Sequence, residues 1–383
     1  MYKRGPSAVK ILLVHCHYRL PGGEDAVFAA ERALLERRGH QVIVYERSNE
    51  EAAHGLPKAL LPLHAVWNHA AARDIKHIIK EQNIDAVHIH NTLLLLSPAV
   101  VRAAKSTGVP VVQTLHNFRL FCPNGILLRD GRVCEDCPRH GLSCAIRHRC
   151  YRGSLAQTLV VAAAYGLHRR LGTWRGVTMV ALTEFDRQKL LEFNRQYPMF
   201  DADRLVVKPN PVCVPSGPVN PWGDRKNQML FAGRLEELKG LRTVLEAWRL
   251  LGDAAPALLV AGEGPLGDWA RAQNLPNVQF LGQLPRAELH ARMAESRAVV
   301  AASLCYESFA LVPAEAHALG TPVLASGLGN VGASVQPGFD GLCFTPGDAN
   351  ALAGAVRAFG QMSFDCNAIA ARARRTVTNR EGQ

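Results

Sequence analysis

The sequence has no apolar run of the roughly 18 residues that a membrane-spanning helix needs. Its longest apolar segment, residues 155–167, is too short and contains Gln157. The apolar run at residues 11–14 is shorter than the central region of a signal peptide and leads into a polar loop. This run therefore predicts a first buried strand. These absences argue against a membrane-spanning or secreted protein, and they predict a cytoplasmic location.

Acidic residues are scarce in the first half of the chain. Residues 1–215 contain 29 Lys or Arg against 18 Asp or Glu, whereas residues 216–383 contain 15 of each kind. The net charge of +11 therefore lies in the first half, and residues 101–175 hold 12 basic and 3 acidic side chains. This asymmetry indicates an anionic partner, which is nucleic acid, an anionic lipid surface or a phosphorylated substrate. A solvated basic surface is the alternative.

Low-complexity segments and short repeats are absent, and the 383 residues are too many for one typical domain. Residues 10–15, 24–38 and 41–45 have the pattern strand, helix, strand, which opens a parallel sheet. Residues 209–226 contain five prolines and read as a linker, after which the alternation restarts. The fold predicted is α/β, with two Rossmann-like, doubly wound domains. The first spans residues 1–210, the linker 211–225, and the second 226–383.

Ligands of doubly wound domains bind at the carboxyl ends of the strands, so the loops that follow strands hold the candidate residues. The loop 21–24 places Gly22 and Gly23 before the first predicted helix, where backbone N–H groups can approach an anion. A structural turn is the alternative there. The loop 233–240 contains Arg234 and Lys239 beside a helix start, which suits a diphosphate. Surface pairing of these cations with neighbouring acids is the alternative.

A further loop brackets a helix N-terminus with two carboxylates. Glu307 follows the strand predicted at 298–302, and Glu315 lies one turn into a helix whose start we assign to Pro313. A carboxylate there can accept hydrogen bonds from vicinal ribose hydroxyls, while the amides of Leu311 and Val312 face a phosphate. The alternative is that Glu315 is an ordinary acid of a first helical turn.

These motifs together resemble the retaining glycosyltransferases of family 4, which have the GT-B fold of two Rossmann-like domains facing across a cleft. The Glu-x7-Glu element of the family is matched by Glu307 and Glu315, and its Gly-Arg-x4-Lys-Gly loop by residues 233–240. Its Gly-Gly loop is matched by Gly22 and Gly23, and the linker by residues 208–212. The chain departs from the family pattern where Ala310 replaces a usual Gly, and where residues 332–333 lack a common Glu.

The resemblance implies a role for each matched residue. The catalytic set is His116, Glu307, Arg234 and Lys239, with the two cations on the donor diphosphate, Glu307 on the donor sugar and His116 beside its reacting face. Glu315 would hold the ribose. The other donor-binding residues implied are Gly22, Gly23, Gly264, Leu284, Ser308, Phe309, Ala310, Leu311 and Val312.

The reaction implied by the resemblance is hexosyl transfer with retention of configuration, from a UDP- or GDP-sugar to a glycan or lipid-linked acceptor in polysaccharide or glycoconjugate biosynthesis. Fixed cations and amide dipoles would stabilise the leaving group, so no catalytic metal or other cofactor is expected. The Asp201-Ala202-Asp203 sequence is interpreted as a solvated loop. Another GT-B activity, such as nucleotide-sugar epimerisation, is the alternative among enzymes.

Five of the ten cysteines lie within residues 122–150. Cys134, Cys137, Cys144 and Cys150 have a spacing that can supply one tetrahedral zinc site. Reduced thiols that pack an insertion at about 119–152, and disulfides, are the alternatives. A nucleic-acid-binding protein built on this basic segment is a hypothesis of a different class. The segment lacks the interleaved aromatic residues that stack on bases, so no nucleic acid is expected.

Residues 153–175 combine an apolar run with a basic end that contains His168, Arg169 and Arg170. This pattern is typical of a helix that lies on an anionic membrane surface. It predicts peripheral association with the inner face of the membrane through the first domain. A buried helix with a basic cap is the alternative.

Overall fold

The computed structural model describes residues 8–18, 22–51, 60–212, 214–215 and 217–378. The chain divides into two compact units, which group residues 1–127 with 134–211 and residues 128–133 with 212–383. We call them unit 1 and unit 2. Each holds its own six-stranded sheet. Among the described residues, no helix has both the length and the apolar content for a membrane span.

Unit 1 is built on a parallel sheet, and a short antiparallel hairpin that is grouped with unit 2 follows its fourth strand along the chain. The strands in chain order are β1 Lys10–His17, β2 Gln41–Ser48, β3 Ala86–Ile89, β4 Val111–Thr114, the hairpin strands β5 Leu128–Arg129 and β6 Arg132–Val133, β7 Thr178–Ala181 and β8 Leu205–Val207. The helices are α1 Gly23–Arg37, α2 Leu61–Val66, α3 His69–Glu81, α4 Ala99–Lys105, α5 Asp136–His140, α6 Ser143–His148, α7 Leu155–Arg170 and α8 Glu184–Gln196. The sheet order is β2-β1-β3-β4-β7-β8.

Unit 2 repeats the same architecture. Its strands are β9 Lys226–Ala232, β10 Ala257–Ala261, β11 Val278–Gly282, β12 Ser296–Ala301, β13 Val323–Ser326 and β14 Gly341–Phe344. Its helices are α9 Leu241–Leu251, α10 Gly267–Arg271, α11 Arg286–Glu295, α12 Leu311–Ala318, α13 Gly329–Ala333, α14 Ala349–Phe359 and α15 Cys366–Thr378. The sheet order is β11-β10-β9-β12-β13-β14, with every neighbouring pair parallel.

The sheet of unit 2 is covered on both faces, because successive side chains of a strand point to opposite sides. In β9, Met229 and Phe231 pack into the core cluster that contains α9 and α14, whereas Leu230 packs into the cluster that contains α12. Burial on both faces explains why these strands have continuous apolar sequences. The prediction of an α/β fold with two Rossmann-like, doubly wound sheets is confirmed.

Candidate functional site

The sheet of unit 2 reverses its strand order at β9 and β12, which are hydrogen-bonded neighbours although they are far apart along the chain. The connections from these two strands run to opposite sides of the sheet. The crevice outside the carboxyl ends of such a strand pair is where doubly wound domains bind ligands. The loop after β9 carries Arg234 and Lys239, and the loop after β12 carries Glu307. Residues predicted to be functional therefore lie at this edge.

Lys239 and Glu307 are in direct contact, with 2.8 Å between the Lys239 Nζ and the Glu307 Oε1. Burial works against the charged form of Lys239, but the Glu307 carboxylate outweighs it, so the pKa of Lys239 is raised above its usual value. Lys239 therefore stays a cation at neutral pH. The hydroxyl of Ser303 donates a short hydrogen bond to the same Glu307 oxygen.

The backbone around Glu307 is held by residues that the sequence analysis did not single out. The side-chain amide of Asn330, in α13, donates to the carbonyl oxygens of Glu307 at 2.6 Å and of Ser308 at 3.0 Å. The hydroxyl of Ser326, the last residue of β13, donates to the carbonyl of Ser303 at 2.8 Å. The loop between β12 and α12 is therefore fixed by the next strand-to-helix connection.

Glu315 lies in α12 with 8% of its side chain exposed, and the Arg286 guanidinium donates to its Oε1 at 2.5 Å. The Nε2 of His290 is 3.6 Å from its other oxygen. Glu315 is the fifth residue of this helix and lies beyond its first turn, so the alternative of an ordinary first-turn acid is wrong, and α11 supplies it with a cation. The helix begins at Leu311, two residues before the predicted start at Pro313, and the Leu311 N–H donates to the carbonyl of Phe309 at 3.0 Å.

The side chain of Arg234 is held less firmly than those of Lys239 and Glu307, which are in direct contact. The Arg234 side chain is half exposed, and its Nε is 3.6 Å from the Glu236 carboxylate, so it keeps freedom to turn toward a ligand.

The structure places the other predicted residues of unit 2 as follows. Ala310 caps α12 and is buried, and Leu284 lies between β11 and α11. The remaining predicted positions in this unit, Gly264, Ser308, Phe309, Leu311 and Val312, also lie in the loops after β10 and β12 or at the start of α12.

The loops at the carboxyl edge of unit 2 approach one another at backbone distance. A Cβ on Gly240, whose φ is +72°, would lie 2.0 Å from the carbonyl oxygen of Ala302. A Cβ on Gly262, whose φ is +135°, would lie 1.9 Å from the carbonyl oxygen of Gly233. No side chain fits these gaps. The glycines therefore keep the loops after β9, β10 and β12 close together.

We expect Gly240→Ala to lower the free energy of unfolding by more than about 1 kcal/mol, because the added methyl group must push the two loops apart at a left-handed position. Chemical denaturation measures the change. Gly354→Ala is the matched control, since Gly354 lies in α14 with no atom within 4 Å of its Cβ position. That control should be neutral or stabilising by up to about 1 kcal/mol. Equal effects from both variants would contradict this account of Gly240.

In unit 1 the strand order reverses at β1 and β3, and the predicted His116 lies two residues beyond β4. Its Nε2 is 2.9 Å from the Nδ1 of His90, which directly follows β3, and the two rings are stacked. Burial lowers the pKa of His116 to about 4, against the opposing charge of Glu31. His116 is therefore a neutral imidazole at pH 7.

Glu31 of α1 lies behind these histidines and is 4% exposed. The Lys208 ammonium donates to its Oε1 at 2.7 Å, and the His88 Nδ1 is 3.4 Å from the same oxygen. The His90 Nε2 is 3.8 Å from its other oxygen. Burial alone would raise the pKa of Glu31, but His88 and Lys208 outweigh it and lower the pKa. At 3.8 Å the His90 Nε2 is beyond hydrogen-bond distance of Glu31, and it is a buried nitrogen without a hydrogen-bond partner among the described residues.

A cavity of about 30 Å³ lies beside His90 and His116, and its walls include Glu24, Asn117 and Arg119. The Asn117 amide donates to Glu24 Oε1 at 3.0 Å, and burial raises the pKa of Glu24. A polar cavity of this size holds a water molecule or two. Gly22 caps α1 and Gly23 begins it, and Pro21 of the predicted Gly-Gly loop lies outside the described residues.

The cysteines of the predicted zinc site lie around the short helices α5 and α6. Cys137 is buried, and burial together with its neighbours Cys122, Cys150 and Cys144 raises its pKa. Within the described part of the chain, the groups of three or more candidate metal ligands closer than 4.8 Å are His15, His17 and Asp25, and Glu31, His88 and His90. The cysteines do not form such a group, so zinc at this place stays a prediction.

The chain matches two protein families over most of its length. Residues 21–214 match the family described as Glycosyltransferase Family 4, and residues 218–376 match Glycosyl transferases group 1. The first match alone covers just over half of the 383 residues. The two matches meet in the Pro-rich segment that the sequence analysis interprets as a linker.

Individual relatives agree with these families. The glycogen synthase of Mycobacterium tuberculosis (strain CDC 1551 / Oshkosh) is 39% identical over 137 residues, which cover 34% of this chain and 33% of that protein. A D-inositol 3-phosphate glycosyltransferase of Nocardioides is 33% identical over 343 residues, which cover 79% of this chain and 65% of that protein. The matched part therefore spans about a third of the first relative and two thirds of the second.

Solved structures share the fold. Anabaena Alr3699/HepE, in complex with UDP-glucose, has a TM-score of 0.53 and 17% identity, and the match covers 97% of this chain and 100% of that one. Similarity at this level of identity establishes the fold, and it agrees with the predicted GT-B class. From the family matches and the two parallel sheets together, the chain belongs to glycosyltransferase family 4.

Proposed function

We propose that this protein transfers a sugar from a nucleotide-diphosphate donor to a hydroxyl group of an acceptor, with retention of anomeric configuration. The observation that carries the proposal is the meeting of Lys239 and Glu307 at the strand-order reversal of unit 2, with Arg234 on the same loop as Lys239. Two cations can bind the diphosphate of such a donor, and the carboxylate beside them can bind its sugar. The diphosphate is anionic, and the sugar presents hydroxyl groups that donate hydrogen bonds.

Arg234 and Lys239 would bind the diphosphate and stabilise the negative charge that develops on it as the glycosidic bond breaks. Lys239, which is held against Glu307, would do this without reorganisation, the largest contribution in many enzymes, whereas Arg234 would turn onto the diphosphate. The raised pKa of Lys239 keeps it charged for this purpose. Because the chain supplies these charges itself, we propose that transfer is independent of a divalent metal ion.

Glu315 would hold the ribose of the donor. Its carboxylate is buried and already accepts from Arg286, so it is pre-oriented to accept from vicinal hydroxyls. Glu307 would accept from hydroxyls of the donor sugar. Both carboxylates follow β12, one before α12 and one inside it, which sets the distance between the ribose and sugar subsites.

His116 would lie beside the reacting face of the sugar as a neutral imidazole. Its Nε2 is hydrogen-bonded to His90, so its Nδ1 is the nitrogen left to contact a ligand. We propose that His90 carries its proton on Nε2, the nitrogen on the side of the ionised Glu31, so that its Nδ1 accepts from His116 and the Nδ1 of His116 is an acceptor. A hydrogen bond from a sugar hydroxyl suits it, and its depressed pKa makes protonation of the leaving group by His116 unfavourable at pH 7.

A uridine or guanosine diphosphate sugar is the proposed donor class, and UDP is supported by the UDP-glucose complex of Anabaena Alr3699/HepE. Incubation with radiolabelled UDP- and GDP-sugars in EDTA, with glycan and lipid-linked acceptors, tests the proposal. Transfer should occur in EDTA, and the new linkage should keep the α or β configuration of the donor bond, as read by NMR. Inversion, or activity that requires added metal ion, would contradict it.

We further propose that the acceptor is reached at an anionic membrane surface through α7. This helix has two faces. Val161, Tyr165 and His168 are buried, whereas an exposed stripe of leucines runs along the outside, consisting of Leu155, Leu159, Leu167 and Leu171. Each step of four residues turns the helix by about 40°, so these leucines cover a broad arc of its outer side. The helix therefore exposes apolar side chains as well as burying them, and the buried-helix alternative explains only its inner face.

The surroundings of the leucine stripe favour a membrane partner. The neighbouring helix α2 adds the exposed Leu63, and the two helices are joined where the His168 Nε2 contacts the carbonyl of Val66 at 3.0 Å. Arg170 and Arg175 are exposed at the basic end of α7. In an interfacial helix, leucines enter the headgroup region and neighbouring arginines contact anionic lipids.

The double variant Leu159→Glu, Leu167→Glu should bind vesicles of phosphatidylglycerol at least about tenfold more weakly than the wild type, because two apolar side chains are lost and two negative charges face the lipid. Vesicle flotation at low salt measures the binding. Leu250→Glu is the matched control, since Leu250 is equally exposed but lies on α9 in unit 2. Equal binding by the double variant and the wild type would refute a membrane role for α7.

A structural zinc ion held by Cys134, Cys137, Cys144 and Cys150 remains a proposal for the insertion in unit 1. Cys122 is an additional candidate, because it is one of the neighbours that raise the pKa of Cys137. Thiolates are ligands that zinc prefers, and the four cysteines would have to move closer together to bind one ion. The zinc content of the purified protein, before and after chelation, tests this proposal.

A further inference from the structure

We propose that His15, His17 and Asp25 form a binding site for a divalent transition-metal ion of the zinc type. This site lies in unit 1 at the carboxyl end of β1 and the first turn of α1, and it is separate from the cysteines. It is an addition to sugar transfer and does not depend on it, since no step proposed above uses these residues.

The two histidines are positioned by the strand itself. Residues two apart in a strand point to the same face, so the sequence His-Cys-His directs both imidazoles to one side and Cys16 to the other. Their ring centroids are 4.6 Å apart. Cys16 is buried, and its sulfur contacts Asn49.

Asp25 completes the set from α1. Its Oδ1 is 2.9 Å from the His15 Nε2 and 2.9 Å from the His17 Nδ1. Ligands at about 2.0–2.2 Å from a tetrahedral zinc ion are roughly 3.3–3.6 Å from one another. The Asp25 oxygen therefore needs to move away from each imidazole nitrogen by only a few tenths of an ångström to admit the ion, and each neutral imidazole would then carry its proton on its other nitrogen, the His15 Nδ1 and the His17 Nε2.

The surroundings of His15 and Asp25 favour the protonation states that bind a metal ion. Burial lowers the pKa of His15, so its imidazole is neutral. Burial opposes ionisation of Asp25, but hydrogen bonds from His15, from the Gly22 N–H and from His17 outweigh it, so the pKa of Asp25 is lowered. A neutral imidazole and an ionised carboxylate are the species that coordinate metal ions.

Neighbouring groups would hold the ligands in place. The His17 Nε2 is 3.1 Å from Glu46 Oε1, which is the carboxylate–histidine arrangement found behind metal-binding imidazoles. The other oxygen of Asp25 accepts from the Gly22 N–H at 2.8 Å, and the His15 ring stacks on Phe28. His17 is one-third exposed, which gives the ion a route in and leaves a coordination position open to solvent.

The second cluster, Glu31 with His88 and His90, is a poorer candidate. The Lys208 ammonium already lies 2.7 Å from Glu31 and would repel a divalent cation. No Lys or Arg side chain contacts the Asp25 carboxylate among the described residues.

The types of ligand at the site of His15, His17 and Asp25 decide which metal ion is expected. Two imidazoles and one carboxylate favour zinc, cobalt, nickel or copper over magnesium and calcium, which prefer oxygen ligands.

Titration of chelator-treated, full-length protein with Co²⁺ and with Zn²⁺ tests the site. In Cys137→Ser, which disrupts the cysteine cluster, we expect one ion per chain with a visible Co²⁺ spectrum that lacks the thiolate-to-metal band of a cysteine site. His17→Ala should abolish this spectrum, and Glu46→Gln should weaken affinity by about 10–100-fold. His77→Ala, on the exposed face of α3, is the matched control and should bind like the wild type. Melting temperatures of the metal-free variants verify that they fold.

Cys137→Ser separates this site from the cysteines, because it should leave the Co²⁺ spectrum at the histidines unchanged. Absence of Co²⁺ and Zn²⁺ binding in the wild type would overturn the proposal. So would equal affinity in His17→Ala and wild type, which would show that His15, His17 and Asp25 form only a hydrogen-bonded cluster.

Discussion

Lys239→Ala is expected to lower kcat/KM for sugar transfer by about 10²–10³-fold, the loss seen when one fixed group that stabilises a developing negative charge is removed. The ammonium lies 2.8 Å from Glu307 at the strand-order reversal, so its loss removes a cation and leaves that carboxylate without its partner. Steady-state kinetics with the preferred donor measures the effect. The reduction should appear mainly in kcat, because the charge on the diphosphate is larger in the transition state than in the bound donor.

Two comparisons make this expectation specific. Lys239→Arg keeps the charge but changes its geometry, so it should recover part of the lost activity. Arg249→Ala removes a cation from the far end of α9, where it pairs with Glu246 at the surface, and it should leave kcat/KM unchanged. If Lys239→Ala retained wild-type kcat/KM, the assignment of Lys239 to the leaving group would be wrong.

Glu31→Gln is expected to lower the free energy of unfolding by about 1–3 kcal/mol at pH 7, because a buried acceptor of charged hydrogen bonds loses its charge. The value stays below that for a fully buried ion pair, since Lys208 is 45% exposed and can turn to water. Chemical denaturation measures the change. Glu36→Gln, on the same helix, removes an exposed partner of Arg32 and should change stability by less than about 0.5 kcal/mol.

The effect of Glu31→Gln should depend on pH in a defined direction. The folded-state pKa of Glu31 lies below its ordinary value, so its contribution to stability is complete above the unfolded pKa of about 4.3. This contribution is lost as the pH falls through the lower, folded-state pKa. The stability difference between wild type and variant should therefore be full at pH 6–7 and decrease in strong acid. A difference that increased toward acid would contradict an ionised Glu31.

The wild type should also lose stability between about pH 6.5 and pH 4 for a second reason. The pKa of His116 is about 4 in the folded protein and about 6.5 in the unfolded chain, so over this interval the unfolded state binds more protons. This loss affects wild type and Glu36→Gln alike, which makes the control variant the proper reference for the Glu31 effect.

The sequence predicted much of the sheet structure because parallel strands buried on both faces are continuous apolar runs between turns. The strand, helix and strand predicted at residues 10–15, 24–38 and 41–45 agree with β1, α1 and β2 to within three residues, and the strand predicted at 298–302 agrees with β12 to within two. The helices α2 to α6, between β2 and α7, were not predicted. The signal for α3 was present, since Ala71, Ile75 and Ile79 recur every four residues and are all buried, whereas α5 and α6 have too few turns to show a period.

The candidate site was predicted as a set of loops and not as a set of contacts. Lys239 and Glu307 are separated by 68 residues, and their contact depends on β9 lying beside β12, which no local pattern reveals. Arg286 could not be paired with Glu315 for the same reason. The histidines of β1 are different. The alternation of a strand places His15 and His17 on one face, so this part of the proposed metal site was available from the sequence.

Donor binding measured by isothermal titration calorimetry, in EDTA, tests most directly whether unit 2 holds a nucleotide-diphosphate sugar. UDP, GDP and their common sugar conjugates would be titrated into the wild type, Arg234→Ala and Arg249→Ala. The geometry at β9 and β12 predicts binding of one nucleotide series by the wild type and Arg249→Ala, with a loss of tenfold or more in Arg234→Ala, about 1.4 kcal/mol. Absence of binding to every nucleotide, or equal affinity in Arg234→Ala and wild type, would contradict a diphosphate site at these residues.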